Sequence, residues 1–465
     1  MKRRQFIRLA SASASGLALH SPVSKLLAQP THPNVLFIEY DDMNDWVGYL
    51  DGHPNTQTPY LDAFAQRAVQ FNNAHCCAPA CNPSRTAIFT GLLPSTSGIY
   101  LNNQDWKDVL GIDYPTMPDR FQQAGYSNVL DGKFYHGGLD VPAWDYIFPL
   151  FNYHNMRGAD PFLPMHPHNG LNQPISGTAG ADFFWGATDV SESYMQDYRR
   201  KEFAVNILNG DMPEPFFLAF GLKSPHFPDT VPRKYLERFN LSEIELPPIL
   251  QNDLDDIPIQ GLSLIRQSLH NETVLHKSWR KGIQAYLAAI AFADEMTGQV
   301  LTALDNSPYA DNTIVIITSD HGLHLGEKRH WRKWTLWERA IHVPLLIRVP
   351  GMTQPGAVCD HVVSLVDLYP TLIDLCNLET VPDLDGASLR PQLINPTVPT
   401  SHPAISSHSI GKHSVRSDRY RYIGYYPDGE ELYDHQNDPN EWYNQADNPD
   451  YADIKAELIQ WLPGN

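Results

Sequence analysis

The sequence is poor in charge, in cysteine and in basic clusters, and each shortage excludes a class of protein. Charged residues make up 19% of the 465 positions, and five cysteines are too few for a disulfide scaffold. No block of five or six basic residues occurs, and the formal net charge is −19, which repels phosphate backbones and anionic lipid. Binding to nucleic acid or to a membrane through a polybasic segment is therefore disfavoured.

The residues that are abundant predict a compact globular protein. Aliphatic and aromatic residues make up 42% of the chain, enough for a large core, and 38 prolines predict long ordered loops around it. Beyond residue 30 no apolar run reaches the roughly 18 residues that a membrane-spanning helix needs. We therefore expect no membrane insertion of the mature chain.

The first thirty residues have the order of an export signal. Arg3 and Arg4 precede Phe6, a short apolar run follows from Leu9 to Leu19, and a polar exit comes at Ala28-Gln29-Pro30. This order predicts a twin-arginine export signal over residues 1–30 and a periplasmic or secreted protein. The alternative is a merely basic, frayed N-terminus.

From Asn34 onward, strand patterns alternate with helix patterns. Predicted strands cover 35–38, 127–130, 216–220, 313–318 and 343–349, and predicted helices begin at Pro59 and Pro83 or cover 118–124, 278–304 and 366–375. Such alternation predicts an α/β fold, a three-layer sandwich with a large, mostly parallel sheet. We assign residues 31–400 to this domain, although the segment 244–264 yields no prediction.

The pattern changes after about residue 400. The alternating stretch 420–426, a Pro-Asp-Gly turn and the stretch 431–433 predict antiparallel strands, and residues 451–461 predict a helix. Residues 401–465 are therefore expected to form a small α+β subdomain.

Two acidic clusters each follow a predicted strand. Asp41-Asp42 follow the first strand, and Asp320-His321 follow the strand that ends near Thr318. Ligand sites in parallel sheets form beyond the carboxyl ends of the strands, so these clusters can meet. Three converging carboxylates require a cation, and hard oxygen ligands favour Ca²⁺ or Mg²⁺. The alternative for Asp41-Asp42 alone is a pair of loop-capping residues.

A cysteine stands at the start of a predicted helix, within Cys81-Asn82-Pro83-Ser84-Arg85. A helix N-terminus and a neighbouring arginine lower the pKa of a thiol, which makes Cys81 a candidate nucleophile. The alternative is a buried structural thiol.

Cys-x-Pro-Ser-Arg followed by Thr-x-x-x-Thr-Gly resembles the signature of the type I sulfatases of the alkaline phosphatase superfamily. The resemblance continues in order through Asn34–Asp42, Gly132–His136, Lys223–His226 and Asp320–Lys333, and it is strongest to the iduronate-2-sulfatase branch. It implies an alkaline phosphatase-like fold. It also implies that a formylglycine-generating or sulfatase-maturing enzyme oxidises Cys81 to a formylglycine aldehyde.

The resemblance further implies the site residues. A divalent metal, Ca²⁺ rather than Mg²⁺, would be held by Asp41, Asp42, Asp320, His321 and the formylglycine at position 81. The catalytic set would be Cys81, Arg85, Lys133, His136, His226, Asp320 and Lys333. The hydrated aldehyde would be the nucleophile, with Asp320 as its base, His226 as general acid and His136 as the base that regenerates the aldehyde. Lys133 and Lys333 would neutralise the sulfate oxygens.

The expected substrate is a sulfated carbohydrate, such as a 2-O-sulfated uronic acid. Asn103, Gln104 and Trp106 are candidates for the mouth of the pocket, Trp185 for stacking on a sugar, and Lys223 for a further contact. His324, Glu327 and His330 are interpreted as loop structure or substrate rim. Cys76, Cys77, Cys359 and Cys376 are either buried thiols or disulfide partners.

Two alternatives stay open at this point. One is a phosphonate or phosphodiester hydrolase that uses the same aldehyde. The other is a non-catalytic glycan-binding protein in which Cys81 remains a thiol.

Overall fold

The computed structural model describes residues 32–148 and 183–464. The strands in this part of the chain are β1 Asn34–Tyr40, β2 Val69–Phe71, β3 Ala74–His75, β4 Ser127–Gly132, β5 Tyr146–Phe148, β6 Trp185–Thr188, β7 Phe216–Gly221, β8 Asp229–Pro232, β9 Thr313–Ser319, β10 His324–Leu325, β11 Trp331–Arg332, β12 Leu345–Arg348, β13 Val358–Cys359, β14 Val363–Ser364, β15 Ala404–Ser409, β16 Lys412–Arg416, β17 Tyr420–Tyr425 and β18 Glu430–Asp434.

The helices are distributed between these strands. They are α1 Pro59–Ala65, α2 Cys81–Thr90, α3 Pro94–Ser97, α4 Trp106–Leu110, α5 Met117–Gln123, α6 Gln196–Asn209, α7 Arg233–Leu236, α8 Ile259–Leu262, α9 Gln267–Leu275, α10 Trp279–Asp305, α11 Glu338–Ile341, α12 Leu368–Cys376, α13 Arg390–Ile394 and α14 Ala452–Ile459. Short 3-10 turns cover Gly48–Leu50, Val141–Ala143, Glu192–Tyr194, Ala310–Asn312, Glu327–Arg329, Leu365–Asp367 and Pro449–Tyr451.

Among the described residues, the main sheet has eight strands in the order β13-β2-β12-β9-β1-β7-β4-β5. The buried apolar run of β1 lies between β9 and β7 and pairs in parallel with both. Only β12 runs against its two neighbours, β2 and β9. The prediction of a large, mostly parallel sheet is therefore confirmed.

Side chains that alternate along β1 supply two separate cores. Leu36 and Ile38 pack with the long helix α10, together with α1 and α6, on one face of the sheet. Val35 and Phe37 pack with α2, α5 and α12 on the other face. A strand buried on both faces reads as a continuous apolar run, and helices on both faces complete the predicted three-layer sandwich.

The C-terminal part forms a second, antiparallel sheet in the order β15-β16-β17-β18. Val415, Tyr422 and Leu432 form a small core with Leu458 of α14. This confirms the predicted antiparallel sheet and helix, whereas the division of the chain at residue 400 stays a prediction. The 244–264 segment contains turns and the short helix α8.

The signature helix α2 begins two residues earlier than predicted, at Cys81 rather than at Pro83. Ser84 N–H makes the first helical bond to Ala80 O at 3.1 Å, so the missing N–H of Pro83 costs no hydrogen bond. The predicted export signal, residues 1–30, lies outside the described residues. Within the described ranges, no helix combines the length and apolar character that a membrane span requires.

Candidate active site

Four neighbouring parallel strands, β9, β1, β7 and β4, end at the same edge of the main sheet. The segments that leave them carry Asp320-His321, Asp41-Asp42, Lys223–His226 and Lys133–His136, respectively. The crevice beyond the carboxyl ends of the strands is where α/β proteins place their ligand sites. All four predicted segments therefore lie at one site.

Two glycines allow the chains that leave β4 and β7 to approach each other closely. Lys133 N–H donates to Gly221 O at 3.1 Å, and a Cβ atom added to Gly221 would lie 2.0 Å from Lys133 O. Gly132 adopts a left-handed φ of 87°, which a residue with a side chain rarely does. This close approach brings the Lys133 segment next to the segment that carries His226.

Helix α2 places Cys81 at its first position, where the residue is 1% exposed. The Sγ atom lies 2.9 Å from Lys333 Nζ, 3.3 Å from His321 Nε2 and 3.6 Å from Asp41 Oδ1. Cys81 forms no disulfide with the other four cysteines, all of which lie in the described part of the chain. The candidate nucleophile therefore stands among the residues that the sequence predicts to act with it.

The five predicted metal ligands come together around Cys81. Each of Asp41, Asp42, Cys81, Asp320 and His321 offers one donor atom, and these five atoms all lie within 4.8 Å of one another. Asp42 N–H also donates to Asp320 Oδ1 at 3.0 Å, which ties the two strand ends to each other. The two acidic clusters, although distant in sequence, form one buried donor set.

Two buried lysines contact this donor set, and each contacts a different aspartate. Lys133 Nζ lies 2.5 Å from each carboxylate oxygen of Asp41. Lys333 Nζ lies 2.7 Å from Asp42 Oδ1. Both side chains are less than one-tenth exposed, so their charges are poorly screened by solvent. They present two ammonium groups to any anion bound beside Cys81.

Arg85, one turn along α2 from Cys81, joins several strand ends. Its Nε donates to Asp320 Oδ2 at 2.8 Å, and its Nη1 donates to Glu39 Oε2 and to Lys133 O, both at 2.7 Å. Glu39 is not among the residues that the sequence motifs predict for the site. The signal that could have found it is an acidic residue inside the otherwise apolar strand β1, two residues before Asp41.

Burial and nearby charges shift the protonation equilibria of the site. Burial raises the pKa of Glu39 to about 8, against the opposing effect of Arg85. Burial alone would lower the pKa of His321, but the Asp320 carboxylate raises it to about 9. Burial alone would raise the pKa of the Cys81 thiol, but the ammonium groups of Lys133 and Lys333 hold it well below its usual value.

The charge balance of these side chains fits a bound cation. Four buried carboxyl groups, those of Glu39, Asp41, Asp42 and Asp320, are matched by three permanent cations, Arg85, Lys133 and Lys333. Full ionisation of the four carboxyl groups and of the Cys81 thiol would leave negative charge in excess by two, and the raised pKa values of Glu39 and His321 mean that protons offset this excess when no cation is bound. Three carboxylates and an imidazole form a donor set that suits a divalent metal.

Two further predicted histidines lie next to members of this donor set. His226 Nε2 lies 3.8 Å from Asp42 Oδ2, and its Nδ1 contacts the carbonyl oxygen of Phe227. His136 is close enough to Cys81 to lower the pKa of the thiol through a hydrogen bond. His136 therefore stands at the cysteine, and His226 stands beside the Asp42 carboxylate.

The predicted substrate-contacting aromatics are packing residues, so these predictions are wrong. Trp185 is 1% exposed and stacks on Trp331, with ring centroids 5.5 Å apart. Trp106 is fully buried and donates from Nε1 to Gly138 O at 2.7 Å. The amide of Gln104 bonds to the backbone at Gly98, Tyr100 and Leu101, and Asn103 lies exposed beside it.

The three residues assigned to loop structure or substrate rim belong to the loop. His324 bonds to Thr335 Oγ1 at 2.8 Å, and Glu327 accepts from Leu325 N–H at 2.7 Å. His330 Nε2 lies 3.0 Å from Lys333 O. The remaining cysteines, Cys76, Cys77, Cys359 and Cys376, are buried free thiols.

The fold and the site together define the class of enzyme to which this protein belongs. The three-layer sandwich, with a buried donor set beyond the carboxyl ends of its strands, is that of an alkaline phosphatase-like hydrolase. The Sulfatase family model matches residues 33–378, so the chain belongs to the sulfatase family and is a sulfuric ester hydrolase. A second model, described as N-sulphoglucosamine sulphohydrolase, C-terminal, matches residues 326–464.

Known relatives cover most of the chain. It is 37% identical over 449 residues to a sulfatase of Formosa agariphila, with 93% of this chain and 86% of the relative covered. It is 30% identical over 413 residues to human iduronate 2-sulfatase, with 77% and 72% covered. A solved structure of a 2-O GAG sulfatase superposes with a TM-score of 0.69 at 25% identity, with 92% of this chain and 90% of that one covered.

Proposed function

We propose that this sulfatase removes sulfate esters from a carbohydrate, with a formylglycine derived from Cys81 as nucleophile and Ca²⁺ as the bound metal. The observation that carries the proposal is the buried cluster in which five donor atoms lie within 4.8 Å of one another, with Lys333 Nζ 2.9 Å from Cys81 Sγ. It combines a candidate nucleophile, a cation site and an anion site.

The donor chemistry supports both the aldehyde and the metal. Asp41, Asp42, Asp320, His321 and residue 81 would hold the ion, but a thiolate is a soft ligand and Ca²⁺ is a hard ion. Oxidation of Cys81 to formylglycine replaces its sulfur with oxygen and makes the donor set consistent with Ca²⁺. When bound, the ion would supply charge neutralisation for the sulfate oxygens.

Each surrounding side chain has a defined task. Lys133 and Lys333 bind the sulfate oxygens, and Arg85 holds the Asp320 carboxyl in place. A hydrated aldehyde supplies two hydroxyl groups on one carbon. Burial raises the pKa of Asp320, which favours its action as proton acceptor for the attacking hydroxyl. The attacking hydroxyl forms a bond to sulfur while the bond from sulfur to the sugar oxygen breaks, and His226 protonates that oxygen. His136 then takes the proton of the second hydroxyl, so that the C–O bond to sulfate breaks, sulfate leaves and the aldehyde re-forms.

The relatives point to a sulfated glycan as the substrate. Iduronate 2-sulfatase and a 2-O GAG sulfatase are among the proteins that this chain resembles, which supports a 2-O-sulfated uronic acid. The proposal requires a maturation enzyme that oxidises Cys81 before export. Because residues 1–30 have the order of a twin-arginine signal, we propose that the mature enzyme acts in the periplasm or outside the cell.

The test uses protein co-expressed with a formylglycine-generating enzyme, with Cys81→Ala as the control. Mass spectrometry of the peptide containing residue 81 should show the aldehyde in the active protein. Matured protein should release sulfate from 2-O-sulfated uronic acid oligosaccharides, lose activity with a chelator and regain it with Ca²⁺. The control should release none.

Three results would contradict the proposal. Turnover of aryl phosphonates without sulfate release would indicate a phosphonate hydrolase. An unmodified thiol at position 81 in the native host, with glycan binding but no turnover, would indicate a binding protein. Recovery with Mg²⁺ but not Ca²⁺ would overturn the choice of metal.

A further inference from the structure

The segment that carries His226 is held by a buried carboxylate of helix α6. Asp197 Oδ1 accepts a hydrogen bond from Lys223 N–H at 2.9 Å, and Oδ2 accepts one from Ser224 N–H at 2.8 Å. Asp197 is 3% exposed. Two bonds from successive backbone groups to one carboxylate define both the position and the orientation of the start of this segment.

Arg200, one turn further along α6, ties the same carboxylate to the end of β7. Its Nη1 donates to Asp197 Oδ1 at 3.0 Å and to Gly221 O at 3.1 Å. Arg200 is also 3% exposed. The pair therefore connects the last residue of the strand with the first residues of the segment that follows it.

A turn carries this constraint on to the imidazole. His226 N–H donates to Lys223 O at 2.8 Å, so the backbone of His226 is bonded to the residue that Asp197 holds. The His226 ring is only partly buried, and its Nε2 lies 3.8 Å from Asp42 Oδ2. The position of the ring is therefore set by its backbone together with the contact of its Nδ1 with the Phe227 carbonyl oxygen.

We infer that Asp197 is a positioning residue for His226, acting through the backbone of residues 223 and 224. The inference rests on the proposed role of His226 as general acid. Proton transfer requires the acid within hydrogen-bond reach of the leaving oxygen, so a small displacement of the turn weakens catalysis without removing any group that binds sulfate.

The leaving group of the substrate separates this role from a purely structural one. A sugar alkoxide needs protonation as it departs, whereas a nitrophenolate leaves readily without it. Asp197→Ala should therefore lower kcat on a sugar sulfate about 100-fold, the lower end of the contribution of general acid catalysis. On 4-nitrophenyl sulfate kcat should change by less than about threefold, because the Lys133 and Lys333 contacts to sulfate remain.

Two further variants place the effect at His226. His226→Ala should show the same selective loss, and the double variant Asp197→Ala with His226→Ala should lose no more than His226→Ala alone, because both changes remove one function. Asp197→Asn keeps one acceptor oxygen and the size of the side chain, and should lie between the wild type and Asp197→Ala.

Asp294 offers a matched control at another place in the fold. This α10 carboxylate also accepts from two successive backbone groups, Leu61 N–H at 2.7 Å and Tyr60 N–H at 3.1 Å, and is 1% exposed. Asp294→Ala should lower the melting temperature as Asp197→Ala does, but should leave the ratio of the two activities unchanged.

The outcomes separate the inference from the function on which it rests. An equal loss on both substrates in Asp197→Ala, with a selective loss in His226→Ala, would overturn the inference alone. An equal loss in His226→Ala would overturn the proposed acid and the inference with it. If Asp197→Ala is too unstable to purify, Asp197→Asn decides, since a selective loss supports the inference and an unchanged activity ratio rejects it.

Discussion

At the scale of single residues, the site depends on buried charges that compensate one another. Arg85 has no exposed side-chain surface, and the carboxyl groups of Glu39 and Asp320 that it contacts are at most 2% exposed. Removing one member of a buried ion pair leaves an uncompensated charge, which costs more than the pair contributes. The same arginine that orders the site should therefore also stabilise the fold.

We predict that Arg85→Ala lowers the free energy of unfolding by about 3–5 kcal/mol. The comparison variant is Arg67→Ala, because Arg67 pairs with Asp305 at 2.8 Å but both side chains are more than one-third exposed. That exposed pair should contribute at most about 1 kcal/mol. Urea unfolding of the three proteins measures the difference, and equal losses in both variants would contradict the prediction.

The residues that the sequence identified best are those that directly follow a buried strand. Asp41 and Asp320 could be placed together because strand ends in a parallel sheet share one edge. A sequence does not show which side chains are exposed, so it predicts a substrate contact for Trp185, which in the fold is covered by Trp331. Glu39 was missed because a strand pattern does not reveal a partner such as Arg85, which is distant in sequence.

At the scale of elements, the start of helix α12 is organised by one carboxylate. Asp367 Oδ2 accepts from Ser364 N–H at 2.9 Å, and Oδ1 accepts from Ala387 N–H at 2.9 Å. His402 Nε2 lies 3.0 Å from the same Oδ1. The hydrogen bond to Asp367 raises the pKa of His402 from 6.5 to about 9.

This raised pKa predicts a pH-dependent stability. The folded protein holds the His402 proton more tightly than the unfolded chain, so the contribution is complete below about pH 6.5 and is lost as the pH rises through about 9. It amounts to at most about 3 kcal/mol. His402→Gln should remove this part of the pH dependence in urea unfolding measured from about pH 6 to pH 10.

A second histidine serves as the control. His361 Nδ1 lies 2.8 Å from Asp418 Oδ2, but the Asp418 side chain is about half exposed. His361→Gln should therefore change the pH dependence of the free energy of unfolding much less than His402→Gln does. If the free energy of unfolding of His402→Gln changes with pH as steeply as that of the wild type, the contact between His402 and Asp367 does not cause this pH dependence.

Long elements were easier to predict from sequence than short ones. The 27-residue helix α10 has enough apolar positions to define a helical period, and the strands β1, β7 and β9 stand out as continuous apolar runs. Strands of two residues, such as β10 and β14, are too short to show any pattern of apolar positions. The direction of β12 depends on its neighbours β2 and β9, and its own residues carry no signal of it.

At the scale of the whole molecule, the C-terminal sheet supports the loop that leads to Cys81. Ser407 N–H donates to Cys77 O at 2.8 Å, and Ser406 Oγ donates to Cys76 O at 2.5 Å. At the opposite edge of that sheet, on β18, the buried carboxyl of Glu431 accepts a hydrogen bond from Trp337 Nε1 at 2.7 Å. The small sheet thus contacts two segments that border the active site.

We therefore predict that a chain ending at residue 400 loses both stability and activity, although it retains every proposed catalytic and metal-binding residue. Truncation would leave the carbonyls of Cys76 and Cys77 without these partners and would expose Trp337, which is 1% exposed in the intact fold. Melting temperature and sulfate release measure the two effects. A chain ending at residue 448, which lacks α14 but keeps β15 to β18, is the control and should lose less of both. A 1–400 chain that melts and turns over like the full protein would show that the catalytic domain does not depend on this sheet.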